Sequence, residues 1–450
     1  MTTVKTAVMI VIVPLVMVGA LQRIVVATDP PATDPGVREG LPGAGGRIAG
    51  LTTSQKAFFV ASREEFEETE GVEEGLGPTF NLDSCVGCHS QPASGGSSPA
   101  VNPQVAVANL LNASNYLPSF ITLNGPAREA RYKFNANGTP DGGVHDLFTI
   151  AGRDDAPGCN AAQENFEAEV ANNNVIFRIP TPVFGAGLIE MISDSTLEAN
   201  RLSSSSLKAY FGISGRANRN GNDGTISRFG WKAQNKSLLL FSGEAYNVEM
   251  GISNDLFPDE RGDYPTCQYA AAPNTITNTD GLTATEVPSA IEKFGFFMRF
   301  LAPPTPFVAA TIEENASIAA GRQTFKDAGC ALCHTPSFTT GNSAVTALAY
   351  KPVRLFSDLL VHNMGPRLAD QISQGGARGD EFRTAPLWGL GQRIFFLHDG
   401  RTTDLIEAIR AHRSSGNLQF GPSEANKSVE TFYTLSESSK QNLLNFLRSL

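Results

Sequence analysis

Hydrophobic residues form two clear patterns, one at each end of this 450-residue chain. At the N-terminus an uninterrupted apolar run extends from Ala7 to Leu21, directly after Lys5, and the small residues Val25-Val-Ala27 precede a polar, proline-rich stretch. This arrangement predicts a cleaved export signal over residues 1–27, with an uncleaved anchor as the alternative. No later segment is apolar for long enough to span a bilayer, so we expect a periplasmic protein with no membrane span after cleavage.

At the C-terminus the apolar residues recur at helical spacing and predict a closing helix with one apolar face, formed by Leu443, Phe446, Leu447 and Leu450. An acidic stretch before Cys85 predicts a helix with a solvent-exposed face, carrying Glu64, Glu65, Glu67, Glu68, Glu70, Glu73 and Glu74. The chain also contains 28 Phe, 43 Gly and 27 Pro, which favour short elements separated by loops. We therefore expect a mainly α fold with extensive loops and a few short strands.

The overall charge excludes one class of partner. The formal net charge is −10, and removal of residues 1–27 takes away Lys5 and Arg23, so the mature chain carries about −12. An acidic chain of this kind is not expected to bind nucleic acid.

A short motif occurs twice and indicates the chemistry. Cys-x-x-Cys-His is the attachment signature for covalent c-type haem, because the two thiols add to the porphyrin vinyl groups and the histidine becomes the proximal iron ligand. A zinc site needs four ligands, and a thioredoxin-like thiol pair needs no following histidine. The sequence therefore predicts two covalently bound haem c groups, held by Cys85, Cys88 and His89 and by Cys330, Cys333 and His334.

The surroundings of the two motifs are similar in sequence. Thr79-Phe80 and Thr324-Phe325 each end five residues before the first cysteine of a motif, which predicts that a helix brings an aromatic ring against each haem. We expect two cytochrome c-like domains, over residues 50–310 and 313–450, preceded by a Pro/Gly-rich linker over residues 28–49. The two remaining cysteines, Cys159 and Cys267, are expected to form a disulfide in an oxidising compartment.

The sixth position of each iron decides between electron transfer and substrate chemistry. Outside the motifs and the signal, the chain offers eight side chains for it: His145, His362, His398, His412, Met191, Met250, Met298 and Met364. A single His or Met in an apolar stretch is more often a packing residue than a ligand.

Several longer blocks resemble one bacterial family. They are Phe184-Gly-Ala-Gly-Leu-Ile-Glu190, Arg228-Phe-Gly-Trp231-Lys-Ala, Glu249-Met250-Gly-Ile-Ser, and the stretch from His398-Asp-Gly to His412. The chain resembles the di-haem oxidoreductases of the peroxidase type, relatives of the dihaem cytochrome c peroxidases and of the dihaem enzyme MauG. The resemblance covers most of the mature chain. It implies a peroxidase-like enzyme in which electrons enter at the C-terminal haem and pass to the N-terminal substrate haem.

The resemblance also implies roles for particular residues. His412 matches the sixth ligand of the C-terminal haem, where peroxidases more often show Met and MauG shows Tyr, and Met364 is the rival. Glu190 matches the distal block and is expected to transfer protons during peroxide cleavage. Trp231 and Trp388 are expected to relay electrons. His362 and His398 are expected to form hydrogen bonds at the haem edge. Met250 is an alternative ligand that would close the N-terminal iron.

The implied partners are a small oxidant such as hydrogen peroxide and an external donor, either a small cytochrome or a cupredoxin. Relatives also bind Ca²⁺ between the domains, although no loop here has calcium-ligand spacing. Two other functions stay open at this point: a non-catalytic dihaem electron carrier, and a dihaem oxygenase or protein-modifying oxidase.

Overall fold

The structure is a computed structural model that describes residues 30–262 and 264–450. The export signal predicted over residues 1–27 lies outside these residues. Within the described part of the chain, no helix has both the length and the apolar character needed to cross a membrane.

Helices are the predominant regular element, as predicted for a chain with cytochrome c-like domains. In chain order, α1 to α13 are Thr53–Glu67, Cys85–Cys88, Gln104–Val107, Phe166–Ala171, Ala186–Glu190, Asp194–Leu202, Ser205–Phe211, Leu238–Met250, Ala290–Phe300, Ile312–Asp327, Leu405–Ala411, Asn426–Thr434 and Glu437–Arg448. Four short 3-10 helices cover Leu110–Asn112, Pro265–Cys267, Cys330–Leu332 and Leu390–Gln392. Long irregular segments connect these elements.

The strands are short, and each is antiparallel to its partner. In chain order, β1 to β9 are Thr79–Phe80, Glu129–Tyr132, Val144–His145, Phe148–Thr149, Val175–Arg178, Phe338–Thr339, Pro352–Val353, Val361–Asn363 and Glu381–Arg383. They form a three-stranded sheet in the order β3-β2-β5 and the two-stranded pairs β1-β4, β6-β7 and β8-β9. The register of the three-stranded sheet pairs Glu129 with Arg178. Because side chains alternate along a strand, Glu129 and Arg131 lie on one face of β2, with Arg178 beside them.

Two helix pairs frame the two Cys-x-x-Cys-His motifs. Helix α1 packs on α9, and the Phe66 ring lies 4.5 Å from the Phe297 ring. Helix α10 packs on α13 in the same manner, with the Phe325 and Phe446 rings 5.4 Å apart. Both helices of the first pair begin with a capping box, at Thr52 and at Ser289. These caps satisfy the free N–H groups of the first turn and fix where each helix starts.

Each helix pair contributes to a separate hydrophobic core. The larger core joins α1, α8 and α9 to the loop segment that includes Leu348 and Leu355, so part of the C-terminal half packs on the N-terminal half. The smaller core surrounds α10 and α13. The predicted closing helix is confirmed as α13, which buries Leu443, Leu444, Phe446 and Leu447, and Leu450 is buried just beyond its end.

The segment from residue 30 to residue 48, predicted as a linker, contacts the C-terminal part of the chain. The Arg448 guanidinium pairs with the Asp34 carboxylate at 2.7 Å, and both side chains are buried. The Arg38 backbone N–H donates to the Gly391 carbonyl at 2.7 Å. This segment therefore ties the start of the described chain to its last helix.

The disulfide predicted between Cys159 and Cys267 is present in the structure. The predicted equivalence of Phe80 and Phe325 is wrong. Phe325 lies on α10, whereas Phe80 lies on strand β1, paired with Phe148. The residue that corresponds to Phe325 is Phe66 on α1, because its ring contacts the histidine of the first motif. The acidic stretch also differs from its prediction, since α1 ends at Glu67 and the Glu70 side chain is buried.

Candidate functional site

The first motif opens onto a cavity with about 1200 Å³ of empty space, its open mouth included. Cys85, Cys88 and His89 lie in its wall, at the end of the short helix α2. The opposite elements are β2, with Glu129 and Arg131, and one face of α8. That face presents Ser242, Tyr246, Glu249 and Met250 at helical spacing. Met298 of α9 also lines the cavity, so Met250 and Met298 are its two candidate sulfur ligands.

His89 is held in an orientation suited to binding iron. Its Nδ1 atom lies 2.9 Å from the Gly96 carbonyl oxygen, so this nitrogen is the donor and Nε2 is the free acceptor. Burial lowers the pKa of His89 to about 4, which keeps the imidazole neutral. The supporting loop requires glycine at position 96, because a Cβ there would lie 2.0 Å from the Gln91 carbonyl oxygen.

The second motif opens onto another cavity, with about 1460 Å³ of space measured in the same way. Cys330, Cys333 and His334 line it, and His412 lines it at the end of α11. His334 Nδ1 lies 3.0 Å from the Phe356 carbonyl oxygen, and His412 Nδ1 lies 2.7 Å from the Ala408 carbonyl oxygen. Each imidazole therefore keeps Nε2 free.

The two histidines of the second cavity interact electrostatically. The pKa of His334 falls to about 4, first because of burial and then because of the neighbouring His412 imidazole. Burial also lowers the pKa of His412. Phe356, which supplies the carbonyl for His334, has a left-handed backbone with φ of 54°, which is rare for a bulky residue. That conformation is consistent with a constraint imposed by the site.

Three arginines without carboxylate partners, Arg383 buried and Arg128 and Arg393 half-buried, indicate that both cavities fit an anionic cofactor. Arg383 and Arg393 line the second cavity, and in the described chain neither forms an ion pair. Burial lowers the pKa of each to about 10, and the charge of Arg393 lowers that of Arg383 further. Arg128 lines the first cavity, and its buried Nε has no hydrogen-bond partner. Because an unpaired buried charge is costly, these guanidinium groups suit the carboxylates of a haem.

A pair of carboxyl groups lies in the first cavity. Glu129 accepts from Arg131 Nε at 2.6 Å, and Glu249 accepts from the Asn81 side-chain amide at 3.0 Å. The Arg131 charge and a hydrogen bond from Glu249 hold the pKa of Glu129 at about 2 despite burial. Burial and the Glu129 charge raise the pKa of Glu249 well above its ordinary value. The pKa values of the two carboxyl groups are therefore shifted in opposite directions, and Glu249 holds a proton more tightly than Glu129 does.

The structure places Glu190 outside the cavity lining. Its carboxylate accepts from Arg299 Nε at 2.7 Å and from the backbone N–H of Leu238 at 2.9 Å. Leu238 begins α8, so Glu190 fills the place of a negative group at the positive end of that helix. These bonds occupy the carboxylate and give no support to the predicted distal role. The carboxyl pair of Glu129 and Glu249 occupies the cavity instead.

The two tryptophans have different positions. Trp231 is the one described residue that lines both cavities, and its indole N–H donates to the Ile179 carbonyl at 2.9 Å. The Trp231 ring contacts the His398 ring edge-on at 6.3 Å, and His398 stacks on Phe382 at 4.3 Å. Trp388 is buried in the larger core, against Gly185, and lines neither cavity.

The other predicted ligands differ in whether hydrogen bonds already occupy their donor atoms. Met364 lines the second cavity beside His412 and stays available. His362 also lines it, but Asp358 and Glu424 occupy its two nitrogens at 2.9 and 2.8 Å. Burial acts to lower the pKa of His362, but the neighbouring Cys333 and Asp358 raise it well above its ordinary value. His398 lines the same cavity, and burial lowers its pKa to about 4.

His145 and Met191 line neither cavity. For calcium, no group of three or more Asp, Glu, His or Cys residues in the described ranges could hold a metal ion.

Two cavities, each with a Cys-x-x-Cys-His motif and unpaired arginines, define a protein built to hold two haem groups. A family model described as "Di-haem oxidoreductase, putative peroxidase" matches residues 129–450, and the chain belongs to this family. The matched region contains the second motif and most of the lining of both cavities. The first motif, at Cys85, precedes it.

Two solved structures are similar to this chain. One is a MauG-like protein associated with microbial copper homeostasis, with 18% identity over 60% of this chain and 90% of that chain, and a TM-score of 0.30. The other is hydrazine synthase of Kuenenia stuttgartiensis, with 16% identity over 37% of this chain and a TM-score of 0.23. This chain spans 56% of the hydrazine synthase chain. At these values neither similarity adds to the functional assignment. No curated protein matches the chain.

Proposed function

We propose that this member of the family is a periplasmic dihaem c-type oxidoreductase that reduces peroxide at the first cavity and receives electrons at the second. The observation that carries the proposal is the difference between the two cavities. The second presents two neutral histidines, His334 and His412, each with a free Nε2. The first presents one histidine, His89, together with a carboxyl pair. Two imidazoles fill the remaining coordination positions of a haem iron, whereas one imidazole leaves a position free for substrate.

The motif residues would hold the two haem groups covalently in two modules, residues 50–310 and 313–450. Cys85 and Cys88 would bind the first porphyrin, and Cys330 and Cys333 the second. Arg128 in the first cavity and Arg383 and Arg393 in the second would hold the porphyrin carboxylates, since these guanidinium groups lack other anionic partners. When bound, a haem supplies an iron that exchanges single electrons and, with an open position, reacts with peroxide. Among the residues that the structure describes, no carboxylate cluster supports an interdomain Ca²⁺.

The carboxyl pair would handle the protons of peroxide cleavage. One oxygen of the peroxide must lose a proton and the other must gain one, so the reaction needs a base and an acid within reach. The pKa of Glu129 is lowered beside Arg131, and the pKa of Glu249 is raised by burial and by the Glu129 charge. A pair whose pKa values are driven apart in this way can accept a proton at one oxygen and return one at the other.

Trp231 would carry electrons between the cavities. Its indole lines both of them, and the His398 and Phe382 rings continue the contact on the side of the second cavity. Electrons from a small external donor, a cytochrome or a cupredoxin, would enter at the second cavity and leave through Trp231 to the first. The second candidate function is an electron carrier without catalysis. Met250 and Met298 both line the first cavity, and either sulfur could bind the sixth position of the iron and exclude substrate.

The experiment compares peroxide turnover in two glutamate variants of the haem-loaded protein. Glu249→Gln keeps the size of the side chain but removes the transferable proton, so turnover should fall by about 10²–10⁴-fold. The matched control is Glu190→Gln, which changes a carboxylate outside the cavity and should leave the turnover of folded protein near the parent value. Equal turnover in Glu249→Gln and the parent would remove the carboxyl pair from the mechanism. No turnover in the parent would favour the carrier.

A further inference from the structure

One tyrosine in the first cavity is bonded to a carboxylate that the proposed chemistry does not use. The Tyr246 hydroxyl donates to Glu70 Oε1 at 2.7 Å, across 176 positions of the chain. The exposed fractions are 4% for Tyr246 and 6% for Glu70, so bulk water does not compete for this bond. Tyr246 lines the cavity, while Glu70 lies behind it and its own backbone N–H donates to the Asp83 carbonyl at 2.8 Å.

We propose that Tyr246 is a redox-active residue that donates an electron to the first cavity while Glu70 accepts its proton; this inference rests on the proposed peroxide chemistry. Reduction of one hydrogen peroxide to two waters consumes two electrons and two protons. Tyr246 supplies one electron, and the second cavity supplies the other. The phenol O–H bond breaks, an O–H bond forms on Glu70, and a neutral tyrosyl radical is left. A later electron from the external donor and the proton on Glu70 restore the phenol.

The geometry favours Tyr246 over the other buried aromatic residues of the cavity. Phenylalanine rings such as Phe66 and Phe294 are far harder to oxidise than a phenol. Loss of an electron makes a phenol strongly acidic, so oxidation is easiest where a base already accepts its hydrogen bond. Tyr246 has such a base in Glu70, and the edge contact of its ring with Phe294, at 5.0 Å, holds the ring in place.

The charges around Glu70 suit a proton acceptor. Burial, against the lowering effect of the hydrogen bond from Tyr246 and with the help of the charges of Glu68, Glu65 and Glu74, raises the pKa of Glu70 to about 7. Near neutral pH the group is therefore ionised in part of the molecules and able to take a proton. The same carboxylate, together with burial, raises the pKa of Tyr246, so the phenol keeps its proton until it is oxidised.

The test is electron paramagnetic resonance of the haem-loaded protein, reduced beforehand by one electron per chain and frozen rapidly after addition of hydrogen peroxide. The parent should give an organic radical signal with the hyperfine pattern of tyrosine, and ring-deuterated tyrosine should collapse that pattern. Tyr246→Phe should abolish the signal. Glu70→Gln should slow its formation by about 10²-fold or more, because the amide is a poor proton acceptor. Tyr132→Phe is the control, since Tyr132 is buried but does not line the cavity.

The outcomes separate this inference from the proposed function. If peroxide changes the haem absorption of the parent but no tyrosyl signal forms, the redox role of Tyr246 is wrong and the peroxide chemistry stands. The role is also wrong if the signal persists in Tyr246→Phe or disappears in Tyr132→Phe. If peroxide leaves the haem absorption of the parent unchanged, both the proposed function and the redox role fail.

Discussion

Three histidines are oriented in the same way. His89, His334 and His412 each direct Nδ1 at a backbone carbonyl oxygen and leave Nε2 free. A carbonyl oxygen only accepts, so each imidazole carries a proton on Nδ1, and burial, which lowers the pKa of all three, favours the form with Nε2 unprotonated. His362 is the contrast, because two carboxylates occupy its nitrogens. Among the described histidines that line the cavities, the first three are therefore the ones held ready for a metal.

The role of His412 as an iron ligand can be tested by substitution. His412→Ala should convert one low-spin haem per chain to high spin, because the second iron loses its sixth nitrogen ligand. Electron paramagnetic resonance of the oxidised variant measures the change. Met364→Leu, which alters the rival side chain in the same cavity, should leave the low-spin signal in place. The reverse pattern, with the signal lost in Met364→Leu and kept in His412→Ala, would assign the ligand to Met364.

Among the elements, the contact of α10 with α13 has the strictest steric requirement. A Cβ at Gly321 would lie 1.9 Å from the Asn442 carbonyl oxygen, so the two helix backbones touch where only glycine fits. The rings of Phe325 and Phe446 pack beside this contact. Phe325 also faces His334, with ring centroids 6.3 Å apart. The packing of the two helices therefore sets the position of the second motif.

A pair of glycine variants tests this contact. Gly321→Ala should lower the free energy of unfolding by about 1–3 kcal/mol, the usual cost of overpacking a well-packed site. Gly295→Ala is the matched control on α9, because a Cβ there meets nothing closer than 3.9 Å. It should raise stability by up to about 1 kcal/mol through helix propensity. Chemical denaturation measures both. Equal stabilities for the two variants would show that the backbones can separate at Gly321.

Local sequence signals predicted a large part of the site, and long-range contacts could not be predicted. The haem motifs and the closing helix α13 each depend on residues close together in the chain, and the family resemblance pointed to His412, which lines the second cavity. The prediction for Phe80 failed because it assumed equal spacing before both motifs. Helix α10 ends directly before Cys330, whereas α1 ends at Glu67 and a long loop follows.

The two carboxylate contacts of the first cavity were missed for a related reason. Glu129 and Glu249 meet because strand β2 faces helix α8, and Glu70 meets Tyr246 across 176 positions. No pattern within one segment reveals such a pair. The block Glu249-Met250-Gly-Ile-Ser was the one available signal, and Glu190 lay in a block of the same kind. The choice between them required the fold.

Across the whole molecule, the two cavities are joined by buried contacts. Arg178 lines the first cavity and pairs with Asp370 at 2.7 Å, and Lys232 pairs with the same carboxylate at 3.0 Å. Both cations come from the stretch predicted as the N-terminal domain, residues 50–310, and Asp370 comes from the stretch predicted as the C-terminal domain, residues 313–450. Trp231 precedes Lys232 and lines both cavities. Because these charges are paired and buried, they fix the two halves against each other at the position of the indole.

This arrangement predicts different effects for the two tryptophans. Trp231→Phe should slow electron transfer from the second haem to the first severalfold while leaving both haem spectra unchanged, because phenylalanine is much harder to oxidise than the indole. Trp388→Phe should leave the rate unchanged, since Trp388 lines neither cavity. Stopped-flow absorption, with prereduced protein mixed with peroxide, follows the reoxidation of the second haem. Equal rates in Trp231→Phe and the parent would exclude Trp231 as the relay.

In the proposed function the two haem sites differ, because two histidines bind the iron of one site and the other site is open to substrate. Electron paramagnetic resonance of the fully oxidised parent protein measures this difference. One low-spin signal, from the site of His334 and His412, and one high-spin signal, from the site of His89, are expected in equal amounts. Two low-spin signals, with no high-spin iron, would contradict this expectation and identify the protein as an electron carrier.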